Sequence, residues 1–219
     1  MNIITKYEEH IAIVKELQYD ESFYEVREPF KEEFKKIHDD AKEKGINASN
    51  AKEYLKSLSK EELSTLQNYT RLANEVDVDT LSDEGAYNLL LEHYEKYDFN
   101  NDGFVEDGVG KGIPLIPLHF SSTEKKALVD TFNSVGPKNM LMMATLLMPP
   151  MKFVNGEIVP NPKSMQFNDI QKRVEAILHP KNKNNSTQEF KDGVKLFWEE
   201  LMKNYSKILE EKAYYGINE

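Results

Sequence analysis

The sequence predicts a mostly α fold, a multi-helix globular bundle with one small β-hairpin. Three observations carry that expectation. Apolar residues recur at steps of three and four over most of the chain, the period of a helix with one buried face. Two Ser-x-x-Glu boxes, Ser59 with Glu62 and Ser121 with Glu124, mark helix starts. Asn155-Gly156, set between two apolar, β-prone runs, is the strong hairpin signal. With 219 residues, 39% hydrophobic and 11% aromatic, the chain has enough apolar material for a core without cross-links, in one ordinary domain or two small ones.

Taken in order, the elements read as follows. From Ser22, the residues Phe23, Val26, Phe30, Phe34, Ile37 and Ala41 align on one helical face. Pro29 either kinks that helix or starts a new one, since proline is tolerated in a helix's first turn. Gly45 ends the element. A short helix follows through Tyr54 and Leu55, and the Ser59 box opens the next, with Leu63, Leu66, Thr70 and Ala73 along one side. Ser82 opens another helix, whose first-turn Asp83 and Glu84 suit the helix dipole. Its expected buried face is Ala86, Leu89, Leu90, His93, Tyr94 and Tyr97, running directly into a polar loop at Asp98.

Two prolines then make "KGIPLIPLHF" an extended connector. The Ser121 box opens a helix that stops near Gly136, and Pro137 begins a Met-rich one, "MLMMATLLM", expected to be buried. The hairpin around Asn155-Gly156 is expected to be the only sheet. A helix over 164–178, the polar linker "HPKNKNNST" and a final helix on Phe190, Val194, Phe197, Leu201, Tyr205 and Ile208 complete the chain. Composition shifts between Gly110 and Pro117. The chain therefore divides into an acidic helical region, 1–112, ending in the polar loop, and a region 113–219 with the Met-rich helix, hairpin and last helix; one continuous domain is equally compatible.

Composition narrows the function classes. A formal net charge of -10 disfavours a nucleic-acid partner, whose phosphates are neutralised by Lys and Arg, and disfavours anionic lipid. Without cysteine there is no disulfide, thiolate metal site or cysteine nucleophile. No apolar run is long enough to span a bilayer. The first residues carry charges where a signal peptide needs an apolar stretch, so a cytoplasmic location is the default, with non-classical secretion the alternative. The five histidines are scattered, without a zinc-type pairing. No catalytic residue and no organic cofactor is assigned. Glu92 and Glu95 are the pair around which a hydrolase with an ion-shaped cleft would be built.

The loop carries the one chemical signal. Calcium takes six to eight oxygens from a flexible cage, with side chains on loop positions one, three and five, a glycine at six, a carbonyl at seven and an acid at twelve. Counted from Asp98, those places hold Asp98, Asn100, Asp102, Gly103 and Phe104; an aliphatic Val105 is eighth and Glu106 ninth. The stretch resembles an EF-hand calcium loop, and the helix expected before it stands where an entering helix should. The resemblance implies Ca²⁺ held by Asp98, Asn100, Asp102, the Phe104 carbonyl, Glu106 and Asp107. It departs from the pattern at position twelve, which is Val109. Glu106 or Asp107 would have to close the site by bending the loop early, or Glu84, Glu92 or Glu95 would have to reach across. Gly108, Gly110 and Gly112 argue against an exiting helix, and no second loop is present for cooperative pairing. Asn-Asp-Gly is also good turn chemistry, so an empty turn is the competing reading.

The sequence expectation is thus a calcium-binding, non-catalytic helical protein with a structural or weakly regulatory site. The alternative is a metal-free interaction or oligomerisation protein, with a protein partner or self-association through the Met-rich or last helix.

Overall fold

The computed structural model describes residues 3–180 and 186–216. The mostly helical expectation holds. The chain forms two compact units, one of Met1–Gln18 with Leu115–Glu219 and the other of Tyr19–Pro114. The second boundary lies close to the compositional shift, but the first 18 residues join the C-terminal unit, so the acidic region is an insertion rather than an N-terminal half. The whole of the acidic excess falls in Tyr19–Pro114.

In Tyr19–Pro114 the helices are α2 (Glu21–Glu25), α3 (Glu28–Glu43), α4 (Ala51–Ser57), α5 (Lys60–Thr70) and α6 (Asp83–Asn88), numbered after α1 (Ile3–Val14) of the other unit. Pro29 sits in the first turn of α3 and starts it rather than kinking it. The Ser59 box caps α5 as its spacing predicts, with Ser59 Oγ accepting from Glu62 N and Glu62 returning the bond. The core is Phe34, Ile37, Tyr54, Leu55, Leu66, Tyr69, Leu81, Ala86, Leu89 and Leu90. Phe34 is fully buried and stacks on Tyr69 with ring centroids 3.7 Å apart, so α3 and α5 are joined by one large apolar contact.

Two expectations for this unit need correction. The helix opened by Ser82 does not run to Tyr97; α6 ends at Asn88 and the chain continues in tight turns, with Leu90 N bonded to Tyr87 O, Leu91 N to Asn88 O and Glu95 N to Glu92 O. Leu89, Leu90 and Leu91 are all buried, which a single helical face cannot achieve but a tightly turned segment can. The hairpin at Asn155-Gly156 is also not the only sheet. A second ribbon, β1 (Val105–Asp107) with β2 (Gly110–Gly112), follows the loop and pairs Glu106 with Lys111. Gly108, at φ +59°, makes its turn.

The other unit packs α1 on α7 (Ser122–Val135), and α10 (Gln188–Tyr215) on α7 and α9 (Phe167–Leu178). The Ser121 box caps α7 and Pro137 opens α8 (Pro137–Ala144), both as read from sequence. Phe132 and Phe197 are fully buried, with centroids 5.6 Å apart. Met140, Met143, Leu146 and Leu147 of the Met-rich stretch are buried, whereas Met148 at its end is exposed. Asn155 and Gly156 take positive φ and join β3 (Met151–Val154) to β4 (Glu157–Pro160). Residues 181–185 of the expected linker lie outside the described residues. No helix among the described residues is long and apolar enough to cross a membrane.

In each unit one histidine, buried His10 and partly buried His93, has its charged form disfavoured. His93 is enclosed by the rings of Tyr19, Phe23 and Tyr94, and burial, with help from Arg27 and Lys96, lowers its pKa to about 4. Burial, with Lys125 adding to it, lowers that of His10 to about 3. Both lie below the ordinary value of 6.5. Between pH 6.5 and the depressed pKa the unfolded chain binds more protons than the folded one. Stability is therefore complete above pH 6.5 and falls as the solution is acidified, by about 3 kcal/mol for His93 once pH 4 is reached. Urea unfolding at pH 7 and pH 4.5 should show a loss that His93→Phe reduces; an equal loss in the variant would exclude His93 as its source.

Candidate functional site

The loop is built by its own side chains. Asp98 is buried, 5% exposed, and its carboxylate turns inward: Oδ1 accepts from Asp102 N at 3.0 Å and Oδ2 from Gly103 N at 2.7 Å. Asn100 Oδ1 accepts from Asp102 N at 2.9 Å, and Asp102 Oδ1 accepts from Phe104 N at 2.9 Å. These Asx-type bonds bend the backbone through Asn101 at φ +59° and Gly103 at φ +99°, conformations that Asn and Gly tolerate. Asp98 thus lies buried within the loop, while Asn100 and Asp102, both exposed, bend back onto its amides.

Asn88 supports the loop from beneath and was not singled out from sequence. It is fully buried; its Oδ1 accepts from Tyr97 N at 3.1 Å while Nδ2 donates to Tyr97 O at 3.0 Å and Glu106 O at 2.6 Å. One amide thereby ties the loop's entry to β1. It also explains why α6 stops: residue 97 returns to the side chain of residue 88. The Gly85 carbonyl accepts from Gly108 N at 3.0 Å, bringing α6 and the ribbon's turn into backbone contact.

Of the remaining expected ligands, Glu106 faces the loop and Asp107 is engaged elsewhere. Glu106 accepts from Ser82 Oγ through Oε2 and from Lys111 Nζ at 3.0 Å through Oε1. Asp107 is paired with Lys96. Glu84, one of the acids considered for reaching across, is 3% exposed and accepts from the Asn100 and Glu106 amides at 3.0 and 2.9 Å. Burial pushes its carboxyl above the usual range, the two amides oppose this, and Asp98 and Glu106 add to it. Glu92 accepts from Tyr69 Oη at 2.7 Å, and Glu95 is bonded to Lys42 at 2.9 Å and lies 3.5 Å from His38 Nε2. These two acids hold the helices that precede the loop.

Lys111 is the cation of the loop. Its ammonium bonds both Asp102 Oδ2 and Glu106 Oε1 and lies 5.0 Å from the Phe104 ring centroid. Hydrogen bonds to Asp102 and then Glu106 raise its pKa. The ribbon's register makes this pairing, because Lys111 stands directly opposite Glu106. Among the described residues no three Asp, Glu or His side chains stand together in a form ready to hold a metal. A divalent ion would have to draw Asp102 and Glu106 away from Lys111. The donor chemistry suits a hard cation, since Asp98, Asn100, Asp102 and Glu106 offer only oxygen.

Comparison with protein-family models, curated proteins and solved structures finds no match to this chain.

Proposed function

We propose that this is a mostly helical, non-catalytic protein whose loop at 98–106 binds one Ca²⁺ weakly, in a structural role. The observation that supports this reading most is the lodging of the Lys111 ammonium between Asp102 and Glu106: two of the loop's candidate oxygens already share one positive charge. Asp98, Asn100, Asp102 and Glu106 would supply side-chain oxygens, with the Phe104 carbonyl in the place that the calcium pattern assigns it. Asp107 drops out because Lys96 engages it. Calcium would fix the chain between the turns ending at Tyr97 and the β1–β2 ribbon. Two features keep the affinity low: Val109 in place of the closing acid, and competition from Lys111. A dissociation constant on the order of 10⁻⁴ M or weaker follows.

Isothermal titration tests this directly. The wild-type chain should take up one Ca²⁺ at millimolar concentration, and the Asp98→Ala, Asp102→Ala double variant none. Lys111→Gln, which removes the internal competitor, should bind about tenfold more tightly. Equal heats for wild type and the double variant would end the calcium reading.

A metal-free interaction protein is the second reading, and it has its own observation. The β3–β4 ribbon exposes Phe153 and Ile158, cross-strand neighbours 74% and 69% exposed, beside Met151 at 55%. This apolar face, rather than the buried Met-rich helix, is the surface on which such a reading would rest. Sedimentation with and without chelator separates the two: assembly indifferent to calcium favours the second.

A further inference from the structure

We propose that Glu84, which lies outside the loop, closes it in place of the acid that position twelve lacks. The proposal rests on the calcium reading for its effect on affinity, though not for the closure itself. In the calcium pattern the twelfth residue leads into an exiting helix and its carboxylate completes the cage. Here the chain reverses in the β1–β2 ribbon, and the twelfth residue, Val109, stands 64% exposed at the turn. No side chain at that place can return to the loop's first half.

Glu84 does the corresponding work from the opposite direction, through backbone instead of metal. Its Oε2 holds the Asn100 amide, near the loop's start, and its Oε1 holds the Glu106 amide on β1. A single carboxylate thereby pins entry to exit, and it is held firmly itself. Glu84 belongs to the first turn of α6, whose N-cap Ser82 accepts from Gly85 N at 2.9 Å and donates to Glu106. The next residue, Gly85, is bonded to the ribbon's turn. Helix, loop and ribbon therefore form one frame, and the oxygens of Asp98, Asn100 and Asp102 are set in place before any ion arrives. Preorganisation of this kind lowers the ordering cost of binding. Bonds to charged acceptors are the stronger class, which suits Glu84 to the task better than an amide would be.

The test is amide hydrogen exchange on the full chain in EDTA, followed by calcium titration, for wild type, Glu84→Gln and Glu84→Asp. In wild type the Asn100 and Glu106 amides should be protected at least tenfold over open loop amides. Glu84→Gln replaces one acceptor by a donor, and Glu84→Asp is too short to reach both amides. In either variant those two amides should exchange at least tenfold faster, while the amides of Phe34 and Leu66 keep their rates. Calcium affinity should fall about tenfold in both. Unprotected amides in wild type, or rates unchanged in the variants, overturn the closure. Faster exchange with calcium affinity intact overturns the role in positioning the ligands. If wild type takes up no calcium, the calcium reading fails by itself, and the EDTA measurements alone decide whether Glu84 closes the loop.

Discussion

Replacing Asn88 by alanine should remove about 4 kcal/mol from the stability of Tyr19–Pro114, the largest loss expected for any single polar side chain in the unit. Three bonds disappear, and Tyr97 N, Tyr97 O and Glu106 O each lose Asn88 as a partner at a site where Asn88 itself is fully buried. A buried polar group left unmatched costs roughly 1–3 kcal/mol, and part of the total is recovered if water enters. Asn88→Asp is an informative contrast. It keeps an acceptor for Tyr97 N but turns a carboxylate oxygen towards two carbonyl oxygens, so its loss should match or exceed that of alanine. The measurement needs a probe in the right place. Trp198, the chain's one tryptophan, belongs to the other unit, so urea unfolding must be followed through amide signals of residues 19–114. A loss below about 1 kcal/mol would show that Asn88 is not what binds the loop's two ends.

How far the sequence was legible depends on which interactions are local. Capping boxes at Ser59 and Ser121, Pro137 in a first turn, and the Asn155-Gly156 hairpin all involve residues within four positions of one another, and each appears as read, while Pro29, which could have kinked a helix or started one, starts it. Asp98, Asn100 and Asp102 belong to the same class, because Asx turns reach only two to five residues along the chain. What the sequence hid was carried by longer-range bonds. Leu89, Leu90, His93, Tyr94 and Tyr97 have a helical period, yet Asn88 reaches nine residues to Tyr97 and eighteen to Glu106, and those bonds override the period. Lys111 gave no signal because its role depends on the register of a three-residue ribbon. Glycines at 108, 110 and 112 argued against a helix, but they did not reveal that the chain would turn back and bring Lys111 opposite Glu106. The unit boundaries show the same division. The compositional shift marked the C-terminal edge of the acidic unit, while the joining of Met1–Gln18 to α7 rests on packing over more than a hundred residues, as in the bond from Gln18 N to Asn133 Oδ1 at 2.8 Å.

Gly85→Ala should be strongly damaging, although propensity alone argues the reverse. Gly85 lies within α6, where alanine is favoured over glycine by about 1 kcal/mol. A Cβ at this position, however, would stand 2.2 Å from Gly108 O and 3.1 Å from Ser82 Oγ. The first of these is backbone and cannot rotate away, so α6 and the β1–β2 turn must separate. That separation would break the Gly108 N to Gly85 O bond and strain the Glu84 and Asn88 bonds that meet the same ribbon. Overpacking of a tight contact costs about 1–3 kcal/mol before such bonds are counted, so the clash outweighs the gain in helix propensity. A net loss of about 3 kcal/mol is expected, with faster exchange of the Glu106 and Gly108 amides. Gly45→Ala supplies the control: Gly45 also has a positive φ, +66°, but nothing stands within 4 Å of its added carbon. It should lose only the 1–2 kcal/mol of a left-handed residue and leave the loop amides unchanged. If the two variants lose equal stability with equal loop protection, the close approach of Gly85 and Gly108 is not what holds helix, loop and ribbon together.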